Sequence, residues 1–485
     1  MSKYFFDKKP TEECGLFGVF NNPDASSLTA LGLHALQHRG QDATGIVTFS
    51  QNQFFGHRGI GQVGEVFNDP LILKKLKGLS SVGHNRYGTT GESALKNVQP
   101  LFSEILTGGL AIAHNGNLTN TNTVKKELIK DGAIFQSTSD TEVILHLMSK
   151  SKGNLLERIV YALNSITGAY SLIMLTEKSL IGVRDPFGIR PLVIGKLGNS
   201  LILSSESCAL DIIGAKLVRD VEAGEIIEIS KDGLKSIKPF KNSYLRPCLF
   251  EYIYFSRPDS ILQGRNVYDV RKKIGVELAK ESILDKDKVD IVIPIPDSGN
   301  ASALGYSNQL NKPFELGIIR NHYTGRTFIE QTGMTRNLGV KLKHNPNSTT
   351  LKNKRIALID DSIVRGTTSI KIVEMLRNSG AKEIHMRIAS PPVKYPCYYG
   401  IDTPLESELL ASKFTIDEIK NYIGVDSLGF VSLDGVYRAL GFSNGRNPNN
   451  PQFTDHYFSG DYPVKLVDKN IGNNPSQLSL LIETK

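Results

Sequence analysis

One stretch constrains this chain more than any other: Arg355–Ser369, RIALIDDSIVRGTTS. Its apolar start, RIALI, reads as a buried strand that delivers two adjacent carboxylates, Asp360 and Asp361. A turn with Gly366 follows, then hydroxyls at Thr367, Thr368 and Ser369, then a helical pattern with Ile372, Met375 and Leu376 on one face, stopped near Gly380. Glycine lets a backbone approach closely, and a helix start presents N–H groups with no partner in the helix. Together they form a cradle for an anion such as a phosphate. The two aspartates cannot bind phosphate directly. They repel one another, and they suit sugar hydroxyls or a hard cation such as Mg²⁺. The G-x-x-x-x-G-K pattern is absent, so this is not the usual nucleotide phosphate loop.

The surrounding second half repeats the theme. Val289–Ile295 is an apolar run ending at Pro296-Asp297-Ser298, and Ile384, Met386 and Ile388 alternate in a third strand. Buried strands between helices predict an α/β parallel sheet, with ligands beyond the carboxyl ends of its strands. The first half, to about residue 240, differs. Ala169–Thr176, Leu201–Ser204 and Glu225–Ile229 read as short strands between turns, with a helix over Ser139–Ser149. That predicts an α+β domain of stacked sheets. Ser443–Phe453 reads as a loop, and the last thirty residues carry little signal.

Length allows two or three domains in 485 residues. Four cysteines, at 14, 208, 248 and 397, form no C-x-x-C pair, which excludes a disulfide scaffold and a zinc ribbon and suits a reducing compartment. No run approaches the roughly 18 apolar residues of a membrane span. The start, MSKYFFDKKPT, lacks a secretory apolar region, so a cytoplasmic location is expected. The net charge of +8 is spread along the chain; it serves solubility, or meets an anionic substrate or nucleic acid. One basic stretch is concentrated: Arg320–Lys343 holds Arg320, His322, Arg326, Arg336, Lys341 and Lys343, with Glu330 as its acid and glycines at 325, 333 and 339. Either it is a solvated loop or it is a lid over a polyanionic substrate, where excluding water protects an electron-poor carbon.

Near the start, Cys14 sits in EECGLFG. Polar segments that border apolar ones recur downstream: QHRGQDATG at Gln37–Gly45, HNRYGTTG at His84–Gly91, HNGN at His114–Asn117 and STSDTE at Ser137–Glu142. These motifs, in this order, resemble the class II, N-terminal-nucleophile glutamine amidotransferase domain, an αββα sandwich. DDSIVRGTTS resembles the signature of the type I phosphoribosyltransferases, which bind phosphoribosyl pyrophosphate (PRPP). The first resemblance implies that Cys14 is the nucleophile. Asn115 and Gly116 would form the oxyanion hole, Arg86 would bind the glutamine α-carboxylate, Asp140 the α-ammonium, and Gly40 would line the site. The second implies that Arg365, Gly366, Thr367, Thr368 and Ser369 cradle the 5′-phosphate. Asp360 and Asp361 would face the ribose, and Ser298, Asp360 and Asp361 would hold one Mg²⁺ per subunit. His34, His38, His84 and His114 are expected to be mostly scaffold.

The two halves in sequence resemble the glutamine PRPP amidotransferase family over roughly residues 14–440. Arg184–Pro191 (RDPFGIRP), Ser204–Cys208 (SSESC) and Glu251–Ser260 (EYIYFSRPDS) match it as well. The resemblance implies synthesis of 5-phosphoribosylamine from PRPP and glutamine, the first step of purine synthesis, with ammonia passed internally between the sites. It also implies a homodimer or homotetramer inhibited by purine nucleotides. The expected division is a propeptide at 1–13, a glutaminase domain at 14–240, a phosphoribosyltransferase domain at 241–440 and an extension at 441–485. The propeptide follows from chemistry. If the base is the nucleophile's own α-amine, with a pKa of about 7.7–8.0, Cys14 must become the first residue. Some family members hold an iron–sulfur cluster on four cysteines; Cys248 and Cys397 resemble two of those positions. Residues 441–462 contain no cysteine, so no cluster is expected. Rival readings are a hexosamine-forming synthase, opposed by DDSIVRGTT, and a PRPP-binding transcription regulator, opposed by the Cys14 constellation and the lack of a recognition helix.

Overall fold

Alternation of apolar residues with a period of two dictates two packed sheets in the first half. In the computed structural model, which describes residues 11–12, 14–87, 95–282, 286–321, 344–403 and 406–470, these are antiparallel sheets of seven and six strands among the described residues. Gly15–Phe20 lies inside the first, between Ser80–Arg86 and Ser200–Ser204. Gly108–Leu118 lies in the second, beside Gly168–Thr176. Leu16, Val82, Ala113, Ile173 and Leu203 close the space between the sheets. The neighbouring residue Phe17 points the other way, under the helix Ala25–Ala35. A Cβ on Gly32 of that helix would lie 2.5 Å from the Phe17 ring, so glycine sets how close the helix sits. Helices Thr141–Lys150 and Leu155–Ser165 cover the second sheet. The layers are helix, sheet, sheet, helix (αββα), as expected.

The second half holds a parallel sheet in the order Ile291–Pro294, Arg355–Asp360, Glu383–Ile388, Ser427–Phe430. The first of these is shorter than the apolar run Val289–Ile295; Ile295 N still donates to Ile359 O at 2.8 Å, and Pro296 carries no N–H to continue the ladder further. Ala357 and Ile359 face one core and Ile356 and Leu358 the other, so both faces of the central strand are covered. On one face the helices Val267–Glu281 and Asn300–Leu310 cross at backbone contact. A Cβ at Gly275 would sit 1.9 Å from Ser302 O, and one at Gly305 1.9 Å from Lys272 O.

The segment after residue 440 carries little sequence signal, yet it is an integral strap. Phe453, Tyr457 and Phe458 enter the core that also contains Ala169 and Ile359. Arg246 and Arg446 both pair with Asp461, at 3.0 and 2.9 Å. Asp468 then accepts hydrogen bonds from Asn122 N and Thr123 Oγ1, each at 2.7 Å. The strap thereby ties the second half to the end of strand Gly108–Leu118.

The helix crossing generates a stability prediction. Gly305→Ala forces a side chain into a backbone oxygen and is expected to cost about 2–3 kcal/mol. Gly64→Ala, where a Cβ meets nothing within 4 Å, is expected to be neutral or slightly stabilising. Thermal midpoints of the two variants check this.

Candidate active sites

Strand register brings the first site together. Gly15 pairs with Asn85, so Cys14 stands one position beyond that pair, at the Arg86 end of the strand Ser80–Arg86. The Cys14 residue is buried at 8% exposure and holds a left-handed φ of 74°. Gly40 packs on the Arg86 backbone, where a Cβ would lie 2.7 Å from its carbonyl carbon. In the facing sheet, His114 closes the gap between layers. The His84 Nε2–H donates to its carbonyl at 3.1 Å, and its own N–H donates to Gln99 Oε1 at 2.7 Å. Asn115 and Gly116 follow immediately, at the same end of the sandwich as Cys14. Asn115 is fully buried, and neither Nδ2 nor Oδ1 has a hydrogen-bond partner. Leaving an amide unsatisfied costs about 1–3 kcal/mol, so it is a donor held ready. Gly116 has φ 141°, and a Cβ there would lie 2.0 Å from Ala169 O, which admits glycine alone.

Asp140 is anchored beside them. Its Oδ2 accepts from Leu118 N at 3.1 Å, and its Oδ1 lies 3.4 Å from His114 Nδ1. Burial would raise this carboxyl, but the adjacent His114 and hydrogen bonds from Leu118 and Thr141 hold it below its ordinary value. The region therefore offers a thiol, an amide donor, a guanidinium and a carboxylate at one sandwich end. His84 bridges the sheets and His38 pairs with Glu206 at 2.6 Å, while His34 is exposed.

The second site sits at the carboxyl end of the parallel sheet. Asp360 and Asp361 are buried at 2% and 1% exposure. Asp360 Oδ1 accepts from Asp361 N at 2.9 Å, and Asp361 Oδ1 from Ser362 Oγ at 2.5 Å. Gly366 adopts φ 77° and starts the helix Thr367–Asn378, and no side chain caps that start. The Arg365 guanidinium is held by Glu408 at 2.6 Å. Asp297, beyond the neighbouring strand, pairs with Arg320. Gly299 packs that turn tightly on Ile359 O, 2.5 Å from where a Cβ would sit. Of the basic stretch, residues 322–343 lie outside the described residues, as do residues 1–10, 13 and 88–94.

A buried ionic cluster between the halves escaped sequence reasoning. Arg39 pairs with Glu206 and, at 2.8 Å, with Glu251; Arg190 reaches Glu251 at 3.2 Å. The arginine side chains are fully buried. Burial opposes the charge on both Arg39 and Glu206, but their mutual attraction wins: Arg39 is shifted up and Glu206 down. Ser256 donates to Glu251 at 2.5 Å, and its carbonyl accepts from Arg271 at 2.7 Å. Burial draws Arg271 down to about 10, against the opposing pull of Asp361. The matching segments RDPFGIRP, SSESC and EYIYFSRPDS thus meet in one place. A single sequence marks them as polar segments but cannot say that they pair.

Cys248 and Cys397 lie together. Both thiols sit against the Tyr457 hydroxyl, at 3.5 and 3.3 Å, while Cys208 lies elsewhere, 3.8 Å from Glu206. Burial pushes Cys248 up to about 12 and Cys397 upward as well. Two thiols and a phenol are not the four cysteine ligands that an iron–sulfur cluster takes. Beside them, the His456 ring lies 3.9 Å from the Tyr457 ring, tilted by 35°, is fully buried, and has no hydrogen-bond partner on either ring nitrogen.

Comparison with known proteins identifies both halves. Residues 84–211 match the family described as glutamine amidotransferase domain, and residues 259–389 match the phosphoribosyl transferase domain. An amidophosphoribosyltransferase of Rhizobium etli is 55% identical, over 97% of this chain and 95% of its own length. One from Bacillus subtilis is 43% identical, over 95% of this chain and 96% of its own. A solved glutamine PRPP amidotransferase from B. subtilis, complexed with ADP and GMP, superposes with a TM-score of 0.88 at 42% identity. It covers 94% of this chain and 98% of its own.

Two predictions follow from the geometry. Asn115→Ala is expected to lower kcat with glutamine about 100- to 1,000-fold with a smaller change in KM, because an oxyanion donor acts on the transition state; steady-state kinetics measures the split. Burial lowers His84 and His456 from 6.5 to about 3. The unfolded chain then binds protons the fold refuses, so stability is intact above about pH 6.5. It falls below that by about 1.4 kcal/mol per pH unit for each histidine, until the folded groups also titrate. His456→Phe keeps an aromatic ring there and is expected to flatten this acid slope, measured as thermal midpoint against pH.

Proposed function

This chain belongs to the amidophosphoribosyltransferase family, and from that premise we propose how its residues divide the work. It is a pentosyltransferase of purine biosynthesis: PRPP, glutamine and water give 5-phosphoribosylamine, glutamate and pyrophosphate. Residues before Cys14 are removed, and the new α-amine takes the thiol proton near neutrality. The Cys14 sulfur attacks the glutamine side-chain amide. Asn115 Nδ2 and the Gly116 N–H stabilise the oxyanion. Arg86 pairs with the substrate α-carboxylate through its planar fork, Asp140 with the α-ammonium, and Gly40 lines the pocket. Ammonia leaves, and water releases glutamate from the thioester. The observation that carries this reading is the buried, unpartnered Asn115 amide at the Cys14 end of the sandwich.

At the second site, Arg365, Gly366, Thr367, Thr368 and Ser369 hold the 5′-phosphate at the uncapped helix start. Asp360 and Asp361 face the ribose hydroxyls. Two adjacent buried carboxylates at a strand end fit a hard cation, and Asp360, Asp361 and Ser298 would hold one Mg²⁺ per subunit. When bound, Mg²⁺ neutralises pyrophosphate charge. Ammonia attacks the anomeric carbon with inversion as pyrophosphate departs. Internal transfer keeps ammonia unprotonated. The apolar core supports it: Ala169, Tyr399, Ile401, Leu409, Val364 and Ile359 belong to one cluster that reaches from the strand beside Gly116 to the strand bearing Asp360.

The division proposed is 1–13, 14–240, 241–440 and 441–485. Purine nucleotides are proposed as feedback inhibitors, since the B. subtilis relative was solved with ADP and GMP. We further propose a cytoplasmic homodimer or homotetramer without an iron–sulfur centre. Among the described residues, no helix is long and apolar enough to cross a membrane. Nothing supports a transcription regulator. Cys14→Ser tests the reading: glutamine-dependent synthesis should be lost and ammonia-dependent synthesis kept. Retained glutamine-dependent synthesis would refute the nucleophile.

A further inference from the structure

Behind Asp140 lies a set of buried polar side chains without a place in the chemistry. The Gln99 side-chain amide spans two elements: its Oε1 accepts from His114 N at 2.7 Å, and its Nε2 donates to Thr141 Oγ1 at 3.1 Å. One end thus grips the strand that carries Asn115 and Gly116, and the other grips the first turn of the helix that follows Asp140. The Thr141 hydroxyl also accepts from Ser139 Oγ at 3.1 Å. Its two acceptor positions are then filled, so its one proton is left for His114 Nδ1, at 3.1 Å, or Asp140 Oδ1, at 3.4 Å. Asn97 grips the other end of the loop: Thr138 N donates to its Oδ1 at 3.0 Å, and its Nδ2 donates to Thr138 Oγ1 at 2.9 Å. The Gln99 backbone is fixed in turn. Arg58 Nη1 donates to Val98 O at 3.0 Å, and a Cβ on Gly45 would lie 2.4 Å from Gln99 O. Gln99, His114 and Thr141 are buried, whereas the Asp140 side chain keeps 20% exposure. The network therefore ends in a carboxylate that is open to a ligand.

We propose that Gln99 is a positioning residue that selects substrates bearing an α-ammonium. This rests on the reading of Asp140 as the ammonium partner, and adds what aims its carboxylate. Asp140 Oδ2 is held by Leu118 N, and Oδ1 faces His114 and Thr141. Both oxygens therefore have a fixed direction before glutamine arrives, and the entropy of ordering them is lost on folding instead of on binding. Without the Gln99 amide, Thr141 and His114 lose their common tie, and the helix start can shift against the strand. The carboxylate then moves relative to Asn115 and Gly116, which sit on that strand. Binding through the ammonium weakens. Binding through Arg86, at a strand end of the other sheet, does not.

The test compares glutamine with glutaramate, which has the same amide and carboxylate without the α-ammonium, in the whole enzyme at saturating PRPP. Gln99→Met removes both amide contacts at nearly constant volume. It is expected to raise KM for glutamine about tenfold or more with kcat within about threefold, because a misplaced binding group is lost from ground state and transition state alike. The inhibition constant of glutaramate should stay at the wild-type value, and so should ammonia-dependent synthesis. Thr141→Val, which removes the hydroxyl and keeps the shape, should behave in the same way, and Thr141→Ser should keep the wild-type KM. Equal weakening of glutamine and glutaramate overturns the proposal, as does a wild-type KM for glutamine in Gln99→Met or Thr141→Val enzyme that retains ammonia-dependent synthesis. Asp140→Asn that binds glutamine as the wild type does would instead overturn the reading of Asp140 itself.

Discussion

The two halves are held in one relation by charge that has nowhere else to go. Arg39, Arg190, Glu206 and Glu251 are sealed from solvent at their seam. A buried ion left without its partner costs several kcal/mol, commonly 3–5 when one member is removed. Any sliding of one half on the other would strand at least one of these groups. The cluster therefore acts on geometry more than on net stability, since a buried ion pair offsets its own desolvation and little more. Ser256 and Arg271 extend the same bonding, and Arg271 feels the charge of Asp361, one of the carboxylates proposed for the second site.

Both sites are built at element ends, for a common reason. Inside a sheet, each backbone group is committed to its ladder; at a strand end, N–H groups and side chains become available. Cys14 lies at the start of one strand and Asn115–Gly116 near the end of another, in facing sheets. The His84–His114 contact fixes which ends coincide. The aspartate pair and Gly366 likewise lie where a parallel strand stops and a helix begins. Glycines at 40, 116 and 400 permit approaches that a Cβ would block. Placement of the chemistry thus depends on what is missing from these positions as much as on what is present.

Much of this was legible from the chain alone. The strands at Ala169–Thr176, Arg355–Ile359 and Ile384–Ile388 announce themselves by apolar periodicity, and DDSIVRGTTS by its composition. What stayed hidden had no local signal. Tyr457 is an ordinary aromatic residue until it is seen between Cys248 and Cys397. Asp468 belongs to a stretch without pattern, yet it caps the helix region Asn122–Thr123 from more than three hundred residues away. Glu408 gives no hint that it tethers Arg365.

The sequence by itself determined the residue chemistry and the local frames: a thiol before a strand, adjacent carboxylates at a strand end, a glycine turn opening a helix. These are set by hydrophobic period and backbone sterics within a few residues, which a linear reading can follow. Only the tertiary structure decided which strand ends face one another, that three polar segments share one buried charge cluster, and that Tyr398 and Gly400 of the second half pack on Asn117 and Gly116 of the first. Those relations depend on long-range packing and on pairing buried charges, and neither leaves a periodic mark in the order of residues.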